Sequence, residues 1–199
     1  MTKTLWQGPA IALLTAGSVI CCTAAYAQTQ QPKPAKPAQQ TQQKPAKSDP
    51  TEQAVLLGQF GDWGAYTATP GGKKVCFALS KPTAAVTEPA GRKRDPSYAF
   101  VSTRPAEKVK NEVSMIVGYP QKAGVDATAS VGSASYVMYT QNDGAWVKNA
   151  AEEAQMIGTM RKGADLVVKS VSGHGTKTTD TYSLKGLGEA LDKVAEECK

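Results

Sequence analysis

The chain has 199 residues and a formal net charge of +6, from 23 Lys and Arg against 17 Asp and Glu. Half of this excess lies in the first 53 residues, because residues 54–199 contain 18 Lys and Arg against 15 Asp and Glu. That balance lacks the concentrated positive charge of a nucleic-acid-binding domain, so nucleic acid is excluded as the expected partner. Residues 54–199 suit a single domain with one hydrophobic core.

Residues 1–27 have the pattern of a secretory signal peptide. Lys3 supplies a positive charge, residues 9–20 are mostly apolar, and the sequence Ala-Tyr-Ala ends at Ala27 with small side chains where signal peptidase cuts. The apolar run is shorter than the roughly 20 residues that cross a bilayer as a helix. We therefore expect cleavage after Ala27 and a periplasmic or secreted protein. An uncleaved anchor and a lipidated Cys22 are the alternatives.

Residues 28–53 are rich in Gln, Pro, Lys and Ala and contain no large apolar side chain. Such a composition buries too little surface to offset the conformational entropy lost on ordering, so we expect a disordered or polyproline-like linker. Four lysines against one aspartate and one glutamate give the linker a charge of +2. A solubilising role is favoured, and peripheral contact with an anionic membrane surface is the alternative.

The pattern of residues 54–199 predicts a mainly β domain. Short segments rich in β-branched and aromatic residues recur, and turn residues such as "PGG" (70–72), "NDG" (142–144) and "GHG" (173–175) separate them. Regularly spaced short strands of this kind indicate an antiparallel β-sandwich or a barrel-like domain. The predicted strands are 60–69, 73–80, 97–104, 112–119, 126–132, 135–141, 145–148, 165–172 and 176–184.

Two short α-helices are predicted in the C-terminal third. The first begins at Asn149, which forms a capping-box pattern with Glu152, and it ends before Gly163. The second spans residues 187–198. Its apolar side chains recur at helical spacing on one face, which carries Leu187, Leu191, Val194 and Cys198.

Two of the four cysteines, Cys21 and Cys22, would leave with the signal peptide. The remaining pair, Cys76 and Cys198, is expected to form a disulfide bond, because two thiols in one small exported domain usually pair. Closing so long a loop stabilises a fold by about 4–5 kcal/mol in the chain-entropy model. Two free or intermolecular thiols remain the alternative.

The sequence shows no catalytic signature, and we assign no catalytic, cofactor-binding or metal-binding residue. His174 is the only histidine, and a hydrolase would pair it with Ser172 or Ser183 and with Asp180. Its place between two glycines in a predicted turn is poorly suited to a fixed catalytic base. One histidine and a cysteine pair also fall short of a zinc site. Glycoside hydrolysis needs two acids across a cleft, and nothing selects a pair among Asp62, Asp143, Asp165 and Asp180.

Two features are candidate interaction surfaces. Trp63 and Trp146 would stack on sugar rings if they were exposed, although aromatic residues in strands more often lie in the core. The basic cluster Arg92, Lys93 and Arg94 lies in a loop between two prolines. A solvated loop is the default interpretation of this cluster, and contact with an acidic partner is the alternative.

Several segments together resemble the invasion-associated locus B family of exported bacterial proteins. "AEEAQMIGTMRKGADLVVKSVS" (151–172) and "TYSLKGLGEALD" (181–192) are similar to its C-terminal part, and "GDW" (61–63) and "VCFALSKP" (75–82) to its N-terminal part. The resemblance extends over about residues 58–195. It implies a β-sandwich-like exported domain, a link to host-cell entry in pathogens and no established catalytic activity.

The cysteines depart from this family pattern. Better-known members carry two cysteine pairs, whereas here only Cys76 matches the early pair, and Cys198 lies at the C-terminal end instead. This difference suggests a divergent branch, to which the host-entry role need not extend.

The function that we expect is that of an exported, non-enzymatic interaction domain of the bacterial envelope. Its partner would be an unidentified component of the envelope or of a host surface. The second hypothesis is a periplasmic module that binds glycan or lipid through exposed aromatic residues. The third is a hydrolase of envelope polymers. Nothing in the sequence indicates the oligomeric state.

Overall fold

The computed structural model of the chain describes residue 51 and residues 53–199. The expected signal peptide, its cleavage site and nearly all of the expected linker lie outside these residues. None of the helices within the described part is long and apolar enough to cross a membrane.

The described residues form one antiparallel sheet of 11 strands with two α-helices in the C-terminal third, which confirms the predicted mainly β class. The strands are β1 (Val55–Phe60), β2 (Trp63–Ala68), β3 (Val75–Ser80), β4 (Ala84–Glu88), β5 (Tyr98–Arg104), β6 (Val109–Ile116), β7 (Ala127–Val131), β8 (Ala134–Gln141), β9 (Gly144–Val147), β10 (Asp165–Val171) and β11 (Lys177–Ser183). The helices are α1 (Ala150–Met160) and α2 (Leu187–Glu197), and single 3-10 turns occupy Pro70–Gly72 and Pro105–Glu107.

The strand order is β1-β2-β3-β5-β6-β9-β8-β7-β10-β11-β4, so most neighbours in the sheet are also neighbours along the chain. The pairs β3–β5, β6–β9, β7–β10 and β11–β4 are the exceptions, and the last of them places β4 at the far edge of the sheet. After β3 the chain crosses to the far edge of the sheet, pairs β4 with β11 and then returns to form β5. This excursion brings the segment between β4 and β5, residues 89–97, to the turn that joins β10 and β11.

One face of the sheet supplies the main hydrophobic core, and Phe77, Leu79 and Tyr98 form a second, smaller cluster. The core cluster includes side chains from every strand between β2 and β11 in the sheet order and from both helices. The Trp63 indole N–H on β2 donates to the Ser183 carbonyl on β11 at 2.9 Å, although these strands lie near opposite ends of the sheet order. The sheet is therefore curled around the core, which agrees with the barrel-like form, one of the two forms that the sequence predicted.

Helix α1 begins as predicted. The Asn149 side-chain oxygen accepts hydrogen bonds from the backbone N–H groups of Ala151 (3.1 Å) and Glu152 (3.0 Å). In the same turn the Glu153 carboxylate accepts a hydrogen bond from the Val113 backbone N–H at 2.7 Å, which ties the start of α1 to β6. The local cap and this tertiary contact together fix where the helix starts.

Helix α2 buries the apolar face that its spacing predicted and ends at the disulfide bond. Cys198 follows the helix, and its sulfur lies 2.02 Å from that of Cys76 on β3, with 5.9 Å between the two Cα atoms. The predicted Cys76–Cys198 pair is thus present, and it joins residues 122 positions apart. The Lys74 ammonium also binds the Glu197 carboxylate at 2.5 Å beside this bond.

Strands β1 and β4 were not predicted from the sequence. Both are edge strands, so each has a neighbouring strand on only one side. Val55 and Leu56 of β1 and Val86 of β4 are exposed, and neither strand shows the alternation of buried and exposed residues that identifies a half-buried strand. The burial patterns of these two strands therefore do not indicate that they pair with β2 and β11.

Candidate functional site

A cavity of about 460 Å³ opens where the segment 89–97 meets the turn between β10 and β11. We call this cavity the basic pocket. Strand β4, the chain after β6 and both ends of the β10–β11 turn contribute to its wall. The lining residues are Thr87, Arg92, Lys93, Arg94, Tyr119, Ser172, His174, Thr176 and Thr178.

The pairing of β4 with β11 explains why these residues meet. Thr87 lies opposite Thr178 in the register, so the chain that leaves β4 passes beside the turn that carries His174. The Thr87 hydroxyl then accepts a hydrogen bond from the Arg92 backbone N–H at 3.2 Å, which folds the loop back towards the sheet. The basic cluster and the histidine thus reach one cavity from distant parts of the sequence.

Arg94 forms the floor of the basic pocket. One terminal nitrogen of its guanidinium donates to Asp180 Oδ2 at 2.7 Å and to the Val117 carbonyl at 2.9 Å, and the other donates to Asp180 Oδ1. The Asp180 side chain is 1% exposed and that of Arg94 is 12% exposed. Burial tends to lower the pKa of Arg94, but the hydrogen bonds and charge of Asp180 outweigh it and raise this pKa, so the guanidinium stays charged.

Further polar pairs pack around this ion pair. The hydroxyls of Tyr119 and Thr178 lie 2.5 Å apart, the Ser170 hydroxyl donates to the Gln121 side-chain carbonyl, and the Arg94 guanidinium lies 5.9 Å from the centre of the Tyr119 ring. Burial raises the pKa of Tyr182, which lies on the same inward face of β11 as Asp180. The Arg94–Asp180 pair thus lies among other paired polar groups within a mostly apolar core.

The rim of the basic pocket differs from its floor. Arg92, Lys93 and His174 are exposed, and within residues 53–199 the side chains of Arg92 and Lys93 have no acidic or hydrogen-bonding partner. The Ser172 hydroxyl oxygen accepts a hydrogen bond from the Thr176 backbone N–H at 3.1 Å. No acidic residue is among those that line the cavity. The rim is positively charged and rich in hydrogen-bond donors.

The assignment of Arg94 to an exposed interaction surface therefore needs correction. Its guanidinium is satisfied by Asp180 and a backbone carbonyl, so it supports the loop rather than offering a free charge. Arg92 and Lys93, by contrast, lie at the surface as the sequence suggested. The buried acid opposite Arg94 makes the difference, and nothing in the local sequence of the loop indicates it.

The hydrolase candidates are only partly brought together. Ser172 and His174 line the same cavity, but both oxygens of the Asp180 carboxylate are held by Arg94, so this acid does not orient the imidazole. Ser183 lies at the other end of β11, where its hydroxyl oxygen accepts a hydrogen bond from the Lys185 backbone N–H.

The four acids considered for glycoside hydrolysis occupy different settings. Asp180 is buried in its ion pair, whereas Asp62 and Asp165 are exposed and Asp143 is half-buried. Within the described residues, no group of three or more His, Cys, Asp or Glu is placed to hold a metal ion.

The two tryptophans lie on opposite faces of the sheet. Trp63 is 0% exposed and is part of the core, which corrects its assignment to an interaction surface. Trp146 is half-buried on the outer face of β9 and stacks on Tyr139 of β8, with ring centres 5.6 Å apart. Tyr139 is 41% exposed, and the exposed Val137 lies on the same face. The outer aromatic surface is thus a Tyr139–Trp146 pair, and sequence reasoning missed Tyr139.

The sequence of the chain matches one family model, described as Invasion associated locus B (IalB) protein, over residues 63–195. This range includes every residue that lines the basic pocket and both members of the outer aromatic pair. No curated protein and no solved structure matches the chain significantly.

Proposed function

The chain belongs to the invasion-associated locus B family, and from this membership we propose that it is an exported interaction domain of the bacterial envelope that binds its partner without chemical turnover. The disulfide bond supports export, because such bonds persist in oxidising compartments. The signal-peptide pattern of residues 1–27 supports it independently. The mature domain then acts in the periplasm or at the cell surface.

The basic pocket is the observation that most directly supports the proposed binding role. Its floor is held by the buried Arg94–Asp180 pair, and its rim presents Arg92 and Lys93 to the solvent. A cavity with a rigid floor and free charges at its rim is suited to recognition, since little conformational freedom is lost when a ligand enters. Non-enzymatic action is supported by Arg94, which engages the acid that would otherwise orient His174.

A second candidate function is glycan binding on the outer face of the sheet. The stacked Tyr139–Trp146 pair presents a partly exposed aromatic surface, and aromatic faces pack against sugar rings. This candidate keeps the glycan-binding hypothesis but moves it from a Trp63–Trp146 pair to the Tyr139–Trp146 pair. Replacement of Tyr139 by serine abolishes glycan binding if this surface is the site and leaves it unchanged if the basic pocket is.

The partner class follows from the family and the compartment. An exported domain meets envelope polymers, envelope proteins and, in a pathogen, host-cell surfaces. The host-entry role implied by the family is one form of this proposal, and the basic linker (28–53) would add weak attraction to anionic surfaces.

Cell fractionation combined with intact-mass measurement of the unreduced protein tests the proposed export. We expect the protein outside the cytosol, with the mass of a chain that starts at Gln28 and lacks the two hydrogens lost on disulfide formation. A cytosolic protein that keeps residues 1–27, or a purified secreted form with two free thiols, contradicts the proposal. A retained lipid on Cys22 would show as added mass and would contradict cleavage after Ala27.

A further inference from the structure

Building on the proposed binding role, we propose that the basic pocket binds a saccharide that carries an oxyanion, either a phosphate or a carboxylate group. Arg92 and Lys93 would hold the anionic group, and the hydroxyl-lined wall with Tyr119 would hold the sugar. Charge, hydrogen-bonding capacity and size each support this ligand class.

The charge of the pocket selects an anion. Arg94 is neutralised by Asp180, but Arg92 and Lys93 have no acidic partner within the described residues, and no acid lines the cavity. Two uncompensated positive charges at a concave surface attract anions and repel cations. The planar guanidinium of Arg92 matches two oxygens of one phosphate or carboxylate, and the Lys93 ammonium adds a point charge.

The hydroxyl groups of the wall are set to donate. The oxygens of Thr87 and Ser172 already accept backbone N–H groups, from Arg92 and Thr176 respectively. Each hydroxyl keeps its own hydrogen, for which the structure shows no acceptor. The hydroxyl and ring oxygens of a sugar accept hydrogen bonds, so a sugar satisfies this wall better than a cationic group, which only donates, does.

The size of the cavity leaves room for a ligand larger than a bare ion. Its volume of about 460 Å³ lies in the range typical of small-molecule sites and exceeds the space that one phosphate occupies. Beyond the cations, the wall continues with hydroxyl groups and the half-buried Tyr119. A polyhydroxylated ring fits this combination, because its hydroxyls meet hydroxyls and its C–H face meets the tyrosine ring.

Calorimetric titration of the purified, oxidised protein with four probes tests this inference. The probes are glucose 6-phosphate, glucuronic acid, glucose and inorganic phosphate. We expect the two anionic sugars to bind about tenfold or more tightly than either glucose or inorganic phosphate, because only they engage both parts of the pocket. Amide signals of Ser172, His174 and Thr176 should shift in NMR spectra during these titrations.

Paired charge variants locate the site. The double variant Arg92→Gln/Lys93→Gln should weaken binding of the anionic sugars about tenfold or more, since charged hydrogen bonds are lost. The double variant Lys73→Gln/Lys108→Gln removes the same net charge at exposed lysines. These lie at the ends of β3 and β5 remote from Arg94, so binding should be unchanged. Arg92 keeps its backbone hydrogen bond to Thr87 in the first variant, so the loop should retain its fold.

Several outcomes overturn the inference. Equal weakening by both double variants would show that only net charge matters, and inorganic phosphate binding as tightly as glucose 6-phosphate would remove the saccharide. Absence of binding by both anionic sugars would remove the ligand class, while the export test above would still stand. Release of inorganic phosphate from glucose 6-phosphate, followed by phosphorus NMR, would instead contradict the non-enzymatic function and leave the binding site in place.

Discussion

Asp180 determines the structure of the basic pocket at the scale of single residues. Its carboxylate is 1% exposed and is bound to both terminal nitrogens of Arg94, 86 residues away in the sequence. Taking both charges out of water is costly, and their mutual attraction and hydrogen bonds offset this cost only while both partners are present. The pair therefore fixes the loop conformation more than it adds net stability.

Replacement of Asp180 by asparagine tests this account. The variant keeps the side-chain shape but leaves the Arg94 guanidinium buried without a counter-charge, so we expect a loss of about 3–5 kcal/mol in the free energy of unfolding. Urea unfolding of the oxidised protein measures it. The matched control is Asp165→Asn on the adjacent strand, where the exposed acid should change stability by less than about 0.5 kcal/mol. Equal stability of the two variants would contradict a structural role for the pair.

The segment 89–97 and the end of β6 form a close contact at the scale of elements. The Asp95 backbone N–H donates to the Gly118 carbonyl at 3.1 Å, and a Cβ atom on Gly118 would lie 2.0 Å from the Asp95 carbonyl oxygen. Only glycine permits this approach, which seats the loop that carries Arg92 and Lys93 against the sheet. Gly118 also has a φ of 77°, where residues with a Cβ are strained.

Gly118→Ala should therefore destabilise the domain and displace the loop that lines the basic pocket. Gly124→Ala is the control, because Gly124 has a similar φ of 72° but no heavy atom within 4 Å of an added Cβ. Both variants carry backbone strain, and we expect Gly118→Ala to cost about 1–3 kcal/mol more because of the clash. Unfolding midpoints compare the two variants. If they are equally stable, the loop is not held by this contact.

The disulfide bond acts at the scale of the whole molecule. It links β3, near the start of the domain, to the residue that follows α2, 122 positions further along the chain. The C-terminal helix packs mainly on β1, β2 and β3, so the bond secures an element that would otherwise be free to fray. A loop of this length restricts the unfolded chain strongly in the chain-entropy model.

The double variant Cys76→Ser/Cys198→Ser should lose about 4–5 kcal/mol of unfolding free energy relative to the oxidised protein. Chemical unfolding with and without reductant provides the comparison, and the reduced wild-type protein should be close to the variant. Cys76→Ser alone, under the same conditions, should match the double variant. Indistinguishable midpoints for oxidised and reduced protein would mean that the bond contributes no stability.

Local patterns in the sequence were sufficient for several elements. The Asn149 cap, the turn at residues 142–144 and the apolar face of α2 depend on residues a few positions apart, whose hydrogen bonds and spacing follow directly from the chain. The Cys76–Cys198 pair was predicted because only two cysteines follow Ala27. The resemblance to the family likewise depends on short contiguous segments of the sequence, which need no knowledge of the fold.

Other features were settled only by contacts between distant parts of the chain. Strand β4 has no pattern of its own and exists because β11 offers it a free edge. Trp63 and Trp146 look alike in sequence, and the curl of the sheet places one in the core and the other outside. Burial depends on which face of the whole sheet is enclosed, and a strand pattern alone does not specify this.

The sequence by itself therefore determined the β class, the two helices, the cysteine pair and the basic character of the loop at Arg92. The tertiary structure alone decided that Arg94 is buried against Asp180 and that Arg92, Lys93 and His174 share a cavity. The physical reason is the distance along the chain between the residues that determine each feature. Caps, turns and periodicity are set by neighbours within a few residues, whereas a pocket is set by strand register across the sheet, which depends on the packing of the entire core.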